Sequence, residues 1–327
     1  MTDYPYMYAR VSAKRAKLLD TSDYDNLVKM QPNEIARNLE EGEYRDEINE
    51  LGARYDGVEL VELALNRNLS NMLSDLRKIA PQELADVITV YLRRYDLTSI
   101  KRLLRWKKSD RDVEIQDLLL PAGELDLKEL EELAELEFEE IVESINFPDS
   151  DVNYQDYIGG RTELRKIEGL IDKAYYDELE MLAERVKSDK FRQFIYKELE
   201  HQNLSTSMRL KKYGYSYDEI QEYLVARNGS SLVEEVGRAE DVEEAIEIVG
   251  SKRGVKGDRL EDIEHELEVQ RLEKALTMLH TEPLGITSIL GYIVAKIIEV
   301  KNLRMLIRAK QTGIQNLETI RNNLVIA

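Results

Sequence analysis

The sequence predicts an all-α protein made of three similar helical domains, and three observations lead there. Glycine and proline are sparse, 16 and 6 in 327 residues, while Leu and Glu dominate and Arg and Lys are abundant, so few points interrupt a helix. No run of alternating apolar and polar residues bounded by turn residues marks a strand. A pair of weak helical landmarks recurs three times at nearly constant separation, the signature of internal repetition.

Taken in chain order, the first landmark is an acidic residue, an aliphatic one, and a second aliphatic four positions on: Glu34, Ile35, Leu39; then Glu140, Ile141, Ile145; then Asp241, Val242, Ile246. The second is Asp or Asn, then leucine, then arginine five positions later: Asp96, Leu97, Arg102; Asn203, Leu204, Arg209; Asn302, Leu303, Arg308. From landmark aliphatic to landmark leucine the distances are 62, 63 and 61 residues. Between them each copy carries an amphipathic helix, "LNRNLSNMLSDL", "IDKAYYDELEML" and "LEKALTML", which aligns Leu65 with Ile171 and Leu272, and Leu69 with Tyr175 and Leu276. A rival match of "LLDTSDYDNLVKM" to "LIDKAYYDELEML" is out of phase with these and is set aside.

A period near 100 residues is far longer than a solenoid repeat of about 33–47, so each copy reads as a small domain. Turn-rich stretches near Pro121 ("DLLLPAGELD") and Gly229 ("VARNGSSLVEE") place the domains at 1–120, 121–228 and 229–327. "GSKRGVKGDR", Gly250 to Arg259, reads as a loop inside the third. In the last copy, Ile293, Ile297, Val300, Leu303 and Ile307 form a stripe, with Lys296 and Glu299 three apart on one face, placed to pair locally.

Composition excludes several classes of chemistry. The chain has no cysteine, which removes disulfides, thiolate metal sites and cysteine nucleophiles and suits a reducing, intracellular location. The N-terminus, rich in Tyr, Arg and Lys, lacks the apolar core of a signal peptide. The longest greasy segment of the chain, Ile286 to Val300, is 15 residues and contains Lys296, too short and too charged for a bilayer span of about 20 residues. With 46 basic and 65 acidic residues the net charge is −19, which repels a nucleic-acid backbone.

No catalytic, cofactor or metal site is expected. His201, His265 and His280 are scattered, without the spacing that puts two ligands on one helix face, and "GVKGDR" lacks the ending of a phosphate loop. Ten acids between Glu124 and Glu143 are read as the solvated face of a helix whose stripe is Leu130, Leu133, Phe138, Ile141 and Ile145. A basic stretch, Arg93, Arg94, Lys101, Arg102, Arg105, Lys107 and Lys108 beside Trp106, could hold phosphate or nucleic acid, or pair with the acidic unit that follows or with an acidic protein partner.

The tail "GITSILGYIVAKIIEVKNLRMLIRAKQTGIQNLETIRNNLV" resembles the C-terminal end of the C subunit of A-type and related V-type ATP synthases, the relative of the d subunit of eukaryotic V-ATPases. Gly291, Tyr292, Lys296, Glu299, Asn302, Leu303, Arg304, Arg308, Lys310, Ile320 and Arg321 carry the likeness. "YMYARVSAKRAKLL" is similar to the family's start and "VYLRRYDLTSIKRLLR" to its first-repeat signature. Ile297 and Ile298 depart from it, standing where a more polar residue is expected before the glutamate.

The resemblance implies three helical domains forming a pseudo-threefold funnel. It also implies a non-catalytic central-stalk rotor component at the cytoplasmic face of the membrane. Such a component joins the membrane proteolipid ring to the central shaft subunits, D and F, and transmits torque for ATP synthesis or hydrolysis linked to proton or sodium-ion transport. Membrane association is then indirect, through the ring. Asp96, Arg102, Asn203, Arg209, Asn302 and Arg308 are expected to cap or bridge neighbouring helices at the inner wall, and Lys296 and Glu299 to pair locally, or else all are solvated helix-face groups. A free-standing all-α scaffold that binds other proteins is the alternative.

Overall fold

The computed structural model describes residues 4–109, 119–145, 164–225, 230–281, 283–314 and 316–326. Among them are 16 helices and no strand, which is the all-α class. Packing divides the chain into two units, Met1–Ala85 with Glu268–Ala327, and Asp86–Leu267.

The first unit opens with α1 (Pro5–Arg15), α2 (Thr21–Leu27), α3 (Pro32–Glu40), α4 (Arg45–Leu51) and α5 (Gly57–Ile79). Proline in the first turn starts α1 and α3, where its missing N–H costs no helical bond. Asp20 starts α2: its carboxylate accepts from the N–H groups of Ser22 and Asp23 at 2.8 and 3.0 Å, while Asp23 accepts from the Asp20 N–H at 2.9 Å. The start of α6 (Gln82–Lys107), the later part of α14 (Leu260–Thr281), α15 (Ile286–Gln311) and α16 (Leu317–Asn322) complete the unit.

α15 is its axis. Of its 26 residues 20 are buried. The expected stripe is inside, but so are Tyr292, Val294, Ala295, Ile298 and Leu306 on its other faces, so the single-stripe reading was too narrow. The cause is tertiary: α1, α3 and α5 all pack on α15, leaving no solvent side along most of its length. Ile297 and Ile298 are both buried, so the surroundings suit the apolar departure. α14 approaches closely at Gly291, where a Cβ would fall 2.5 Å from the Ala275 carbonyl oxygen.

The second unit holds the rest of α6, then α7 (Leu127–Glu135), α8 (Phe138–Ser144), α9 (Leu164–Arg185), α10 (Asp189–Lys212), α11 (Tyr217–Gln221), α12 (Ser231–Arg238), α13 (Val242–Arg253) and the start of α14. Leu204 and Met208 of α10 pack with Val233, Val236, Ala245, Val249 and Ile263 in a continuous core. The acidic run is two helices, not one. Asp126 and Glu137 each begin a capping box, with Glu129 and Glu140 accepting from their backbone N–H groups at 2.8 and 2.9 Å. Leu130, Ile141 and Ile145 are buried as expected, while Leu133 and Phe138 are half-buried. The expected loop 250–259 begins only at Gly254, because α13 runs through Arg253 and stops where Gly254 takes φ +68°.

The repeated motifs fall on like elements. The first landmark lies at the starts of α3, α8 and α13; the amphipathic segments are α5, α9 and α14; the second landmark lies on α6, α10 and α15. Glu34 and Glu140 are the third residues of their helices, whereas Asp241 is the cap before α13, so the third copy starts about one turn later. The rival match pairs the 7-residue α2 with the 22-residue α9, unlike elements. The packing units divide the chain inside α6 and α14, so they group helices differently from the sequence repeats; of the two expected seams, Gly229 lies outside the described residues.

Candidate functional site

α15 carries a group of buried polar side chains in an otherwise apolar helix. Lys296 is 2% and Glu299 4% exposed. The ammonium donates to Glu299 Oε1 at 2.7 Å and to the Tyr44 hydroxyl at 2.9 Å, and lies 4.2 Å from the centre of the Tyr44 ring. Glu299 also accepts from the Tyr44 hydroxyl at 2.6 Å, and its second oxygen accepts the Leu19 backbone N–H at 2.7 Å. Burial, reinforced by the Glu299 charge, pushes the phenols of Tyr24, Tyr44 and Tyr292 far above the usual range, so all three stay neutral. Removing one partner from such a pair typically costs about 3–5 kcal/mol.

One turn on, Asn302 holds a residue 23 positions downstream by both backbone groups: its Nδ2 donates to the Val325 carbonyl at 2.7 Å and its Oδ1 accepts the Val325 N–H at 2.9 Å. Asn203 repeats this on Val225, at 2.7 and 2.9 Å. An amide can do so because it carries a donor and an acceptor side by side. Asp96 cannot donate when ionised, and it accepts two N–H groups instead, from Glu124 at 2.7 Å and Leu125 at 3.2 Å. There the double hold passes to Ser99, whose hydroxyl accepts the Leu120 N–H at 2.9 Å and donates to its carbonyl at 3.4 Å. All four side chains are buried.

The landmark arginines behave differently. Arg308 makes a two-bond ion pair with Glu62 of α5, and Arg209 pairs with Glu264 of α14 at 2.6 Å. Both are exposed, at 47% and 63%, so each pair contributes only about 0–1 kcal/mol. On α6 the two-bond geometry belongs to Arg105, one turn beyond the half-buried Arg102, and it meets Glu168 of α9. Glu62 and Glu168 each stand three residues before the aligned Leu65 and Ile171.

The basic stretch faces acids of its own chain. Arg93 meets Glu178, Lys101 meets Asp172 and Arg105 meets Glu168, all on α9, in antiparallel order. Arg94 donates to Glu198 of α10 at 3.1 Å, which also accepts from the Tyr91 hydroxyl at 3.0 Å. Burial opposes the Arg94 charge, yet Tyr91, Tyr175 and Glu198 around it carry its pKa well above the ordinary value. Lys107 lies over the Trp106 ring and Lys108 over Phe138. Among the described residues no group of three or more His, Asp or Glu side chains is placed to hold a metal ion; the His280 side chain is outside them.

Reasoning from sequence missed the partners. Tyr44, Leu19, Ser99, Glu62 and Glu168 lie far along the chain from the residues they serve. One signal was available: "SYDEIQEYLV" and "NLETIRNNLV" share a cap residue, Ser216 or Asn316, then Ile220 or Ile320 and Leu-Val at a constant offset of 100, and these are the segments that Asn203 and Asn302 hold.

The other tail residues bind α15 and α16 to the N-terminal helices. Arg304 donates to Asn66 and Lys310 to the Val28 carbonyl, while Arg321 pairs with Asp25 at 2.6 Å. Comparison with known proteins agrees in extent. The family model described as ATP synthase (C/AC39) subunit matches residues 7–322. The chain is 35% identical to the A-type ATP synthase C subunit of Methanococcoides burtonii, over 99% of this chain and 95% of that one. The same component of Methanosarcina mazei is 35% identical over 99% and 93%, and that of Haloferax volcanii 32% over 98% and 97%. Matched almost from end to end, the chain belongs to the ATP synthase (C/AC39) subunit family.

Proposed function

We propose that the chain is the C subunit of an A-type ATP synthase, acting as a non-catalytic central-stalk component of the rotor. In this role it joins the membrane proteolipid ring to the central shaft subunits, D and F, and passes torque between them, at the cytoplasmic face of the membrane. The observation that carries the proposal is the match over 99% of the chain to the C subunits of A-type ATP synthases.

Three domains around a pseudo-threefold axis are part of the proposal, and a recurring contact supports them. In each copy the second-landmark helix runs antiparallel to the amphipathic helix of another: α6 on α9, α10 on α14, and α15 on α5, each joined by Arg or Lys to Glu or Asp. Close-packed helices suit a torque coupler because protein interiors have low compressibility. No helix among the described residues is long and apolar enough to cross a membrane, so attachment would be through the ring. Pairing of Arg93, Arg94, Lys101 and Arg105 with acids of the same chain favours this reading over a phosphate or nucleic-acid site at the basic stretch.

The test is affinity purification of the tagged chain from mildly solubilised native membranes, with mass spectrometry of what comes with it. Recovery of the shaft components and a proteolipid ring is expected. Recovery of the chain alone, or with soluble partners only, would overturn the rotor role in favour of a free scaffold.

A further inference from the structure

The first unit is assembled from two stretches of chain, 1–85 and 268–327, with no peptide connection inside the unit. Most of what joins them is α15 in its sheath. Of the 20 buried residues of α15, 13 are Ile, Leu, Val or Ala, and apolar contacts are non-directional. Apolar contacts hold such a helix in by burial but specify its rotation and its translation along the axis weakly, the close approach of α14 at Gly291 apart.

Lys296, Glu299 and Asn302 break this degeneracy. They follow at steps of three along one side of α15, all buried, and each engages a different element: Lys296 the hydroxyl of Tyr44 at the start of α4, Glu299 that hydroxyl and the Leu19 N–H ahead of α2, and Asn302 both backbone groups of Val325 after α16. A slip of one turn, about 5.4 Å, would leave a buried cation, a buried carboxylate and a buried amide without these partners. Other links along the helix, Lys301 to Glu268, Arg304 to Asn66, Arg308 to Glu62 and Lys310 to the Val28 carbonyl, lie nearer the surface, where water replaces them at less cost. Buried polar groups are best attested as setters of register, while often adding little stability over well-packed apolar replacements.

We propose that Lys296, Glu299 and Asn302 act as a register pin, fixing the rotation and axial position of α15 in its apolar sheath so that the helix does not slide under load. The reference to load rests on the proposed rotor role; the register itself does not, and is testable on the isolated chain. A single slipped turn would shift Arg304 and Arg308 past Asn66 and Glu62, so the joint would yield by steps of a turn.

The natural sequence has no cysteine, which makes spin labelling clean. Labels are attached at Gln311→Cys, at the end of α15, and Lys78→Cys, at the end of α5, both exposed. Electron–electron double resonance then reads the distance between them in the unaltered background and in K296M/E299L/N302L, alongside the melting temperature. The background should give one narrow distance. The triple variant should fold cooperatively but give a broadened distribution or a second peak displaced by about 5 Å, one helical turn.

A single, unshifted, narrow distance in the folded triple variant overturns the proposal. If that variant does not fold, K296M/E299L, which leaves Asn302 on Val325, takes the same measurement. Failure of both to fold also overturns it, because the three groups would then be needed for stability, not register. None of these readings depends on shaft or ring, so a failed purification of the complex would sink the rotor role and leave this result standing.

Discussion

Replacing Asn203 by alanine removes two hydrogen bonds at once and strands both partners. The Val225 N–H and carbonyl are buried, and Asn203 is 5% exposed, so water cannot readily take the place of the amide. Each orphaned buried group costs roughly 1–3 kcal/mol, which puts the loss at about 2–6 kcal/mol. For a unit of this size each kcal/mol lowers the melting temperature by about 2–4 °C, so the drop should be at least about 4 °C. Asn203→Asp separates the clamp from mere polarity. Aspartate still accepts the N–H but points an anion at the carbonyl, so it should be no milder than alanine, whereas an ordinary surface exchange stays within about 0.5 kcal/mol. Thermal melts by circular dichroism and amide exchange at Val225 are the readouts. Alanine and aspartate variants that melt within about 1 °C of the parent, with Val225 still protected, would refute the clamp.

Glu299→Leu alone should destabilise by about 3–5 kcal/mol, because Lys296 is left charged and buried, and adding Lys296→Met should recover most of it in urea titrations; additivity of the two losses would show they are not coupled. Stability should fall above pH 10: the phenols of Tyr24, Tyr44 and Tyr292 are raised from 10.0 in the folded chain, so their contribution is complete below that value. It is lost as pH rises further, by about 1.4 kcal/mol per pH unit for each, and Tyr292→Phe should make the alkaline slope shallower by one such step. Arg308→Met should cost less than about 1 kcal/mol, since Arg308 is half in solvent; a larger loss would mean that the Glu62 pair does more than its exposure allows. Gly291→Ala should cost about 1–3 kcal/mol in the same melts, because its methyl would meet the Ala275 carbonyl oxygen, a backbone atom that yields only if α14 and α15 separate.

Helix content and periodicity were readable because they are local. Leu65, Ile171 and Leu272, aligned from spacing alone, are all buried on α5, α9 and α14. So were the three Asp/Asn positions, since Asp96, Asn203 and Asn302 recur at one offset from a leucine. Their purpose was not readable, because Val225 and Val325 lie 22 and 23 residues away and Glu299 takes the N–H of a residue 280 positions earlier. That Arg105 meets Glu168 was hidden for the same reason: a spacing rule finds a helix face, but which carboxylate a residue on it reaches depends on where the neighbouring helix lies.

By itself the sequence determined the all-helical class, the threefold repetition of motifs and the family likeness of the tail, since each follows from residue types at short separations, where backbone geometry sets the period. Only the tertiary structure decided that α15 is buried on every side along most of its length, that Lys296 and Glu299 are a desolvated pair and not a solvated one, and that Arg93, Lys101 and Arg105 of α6 pair with acids of α9. Burial and pairing are properties of what lies opposite a side chain, and in this fold the opposite side is supplied by chain tens to hundreds of residues away.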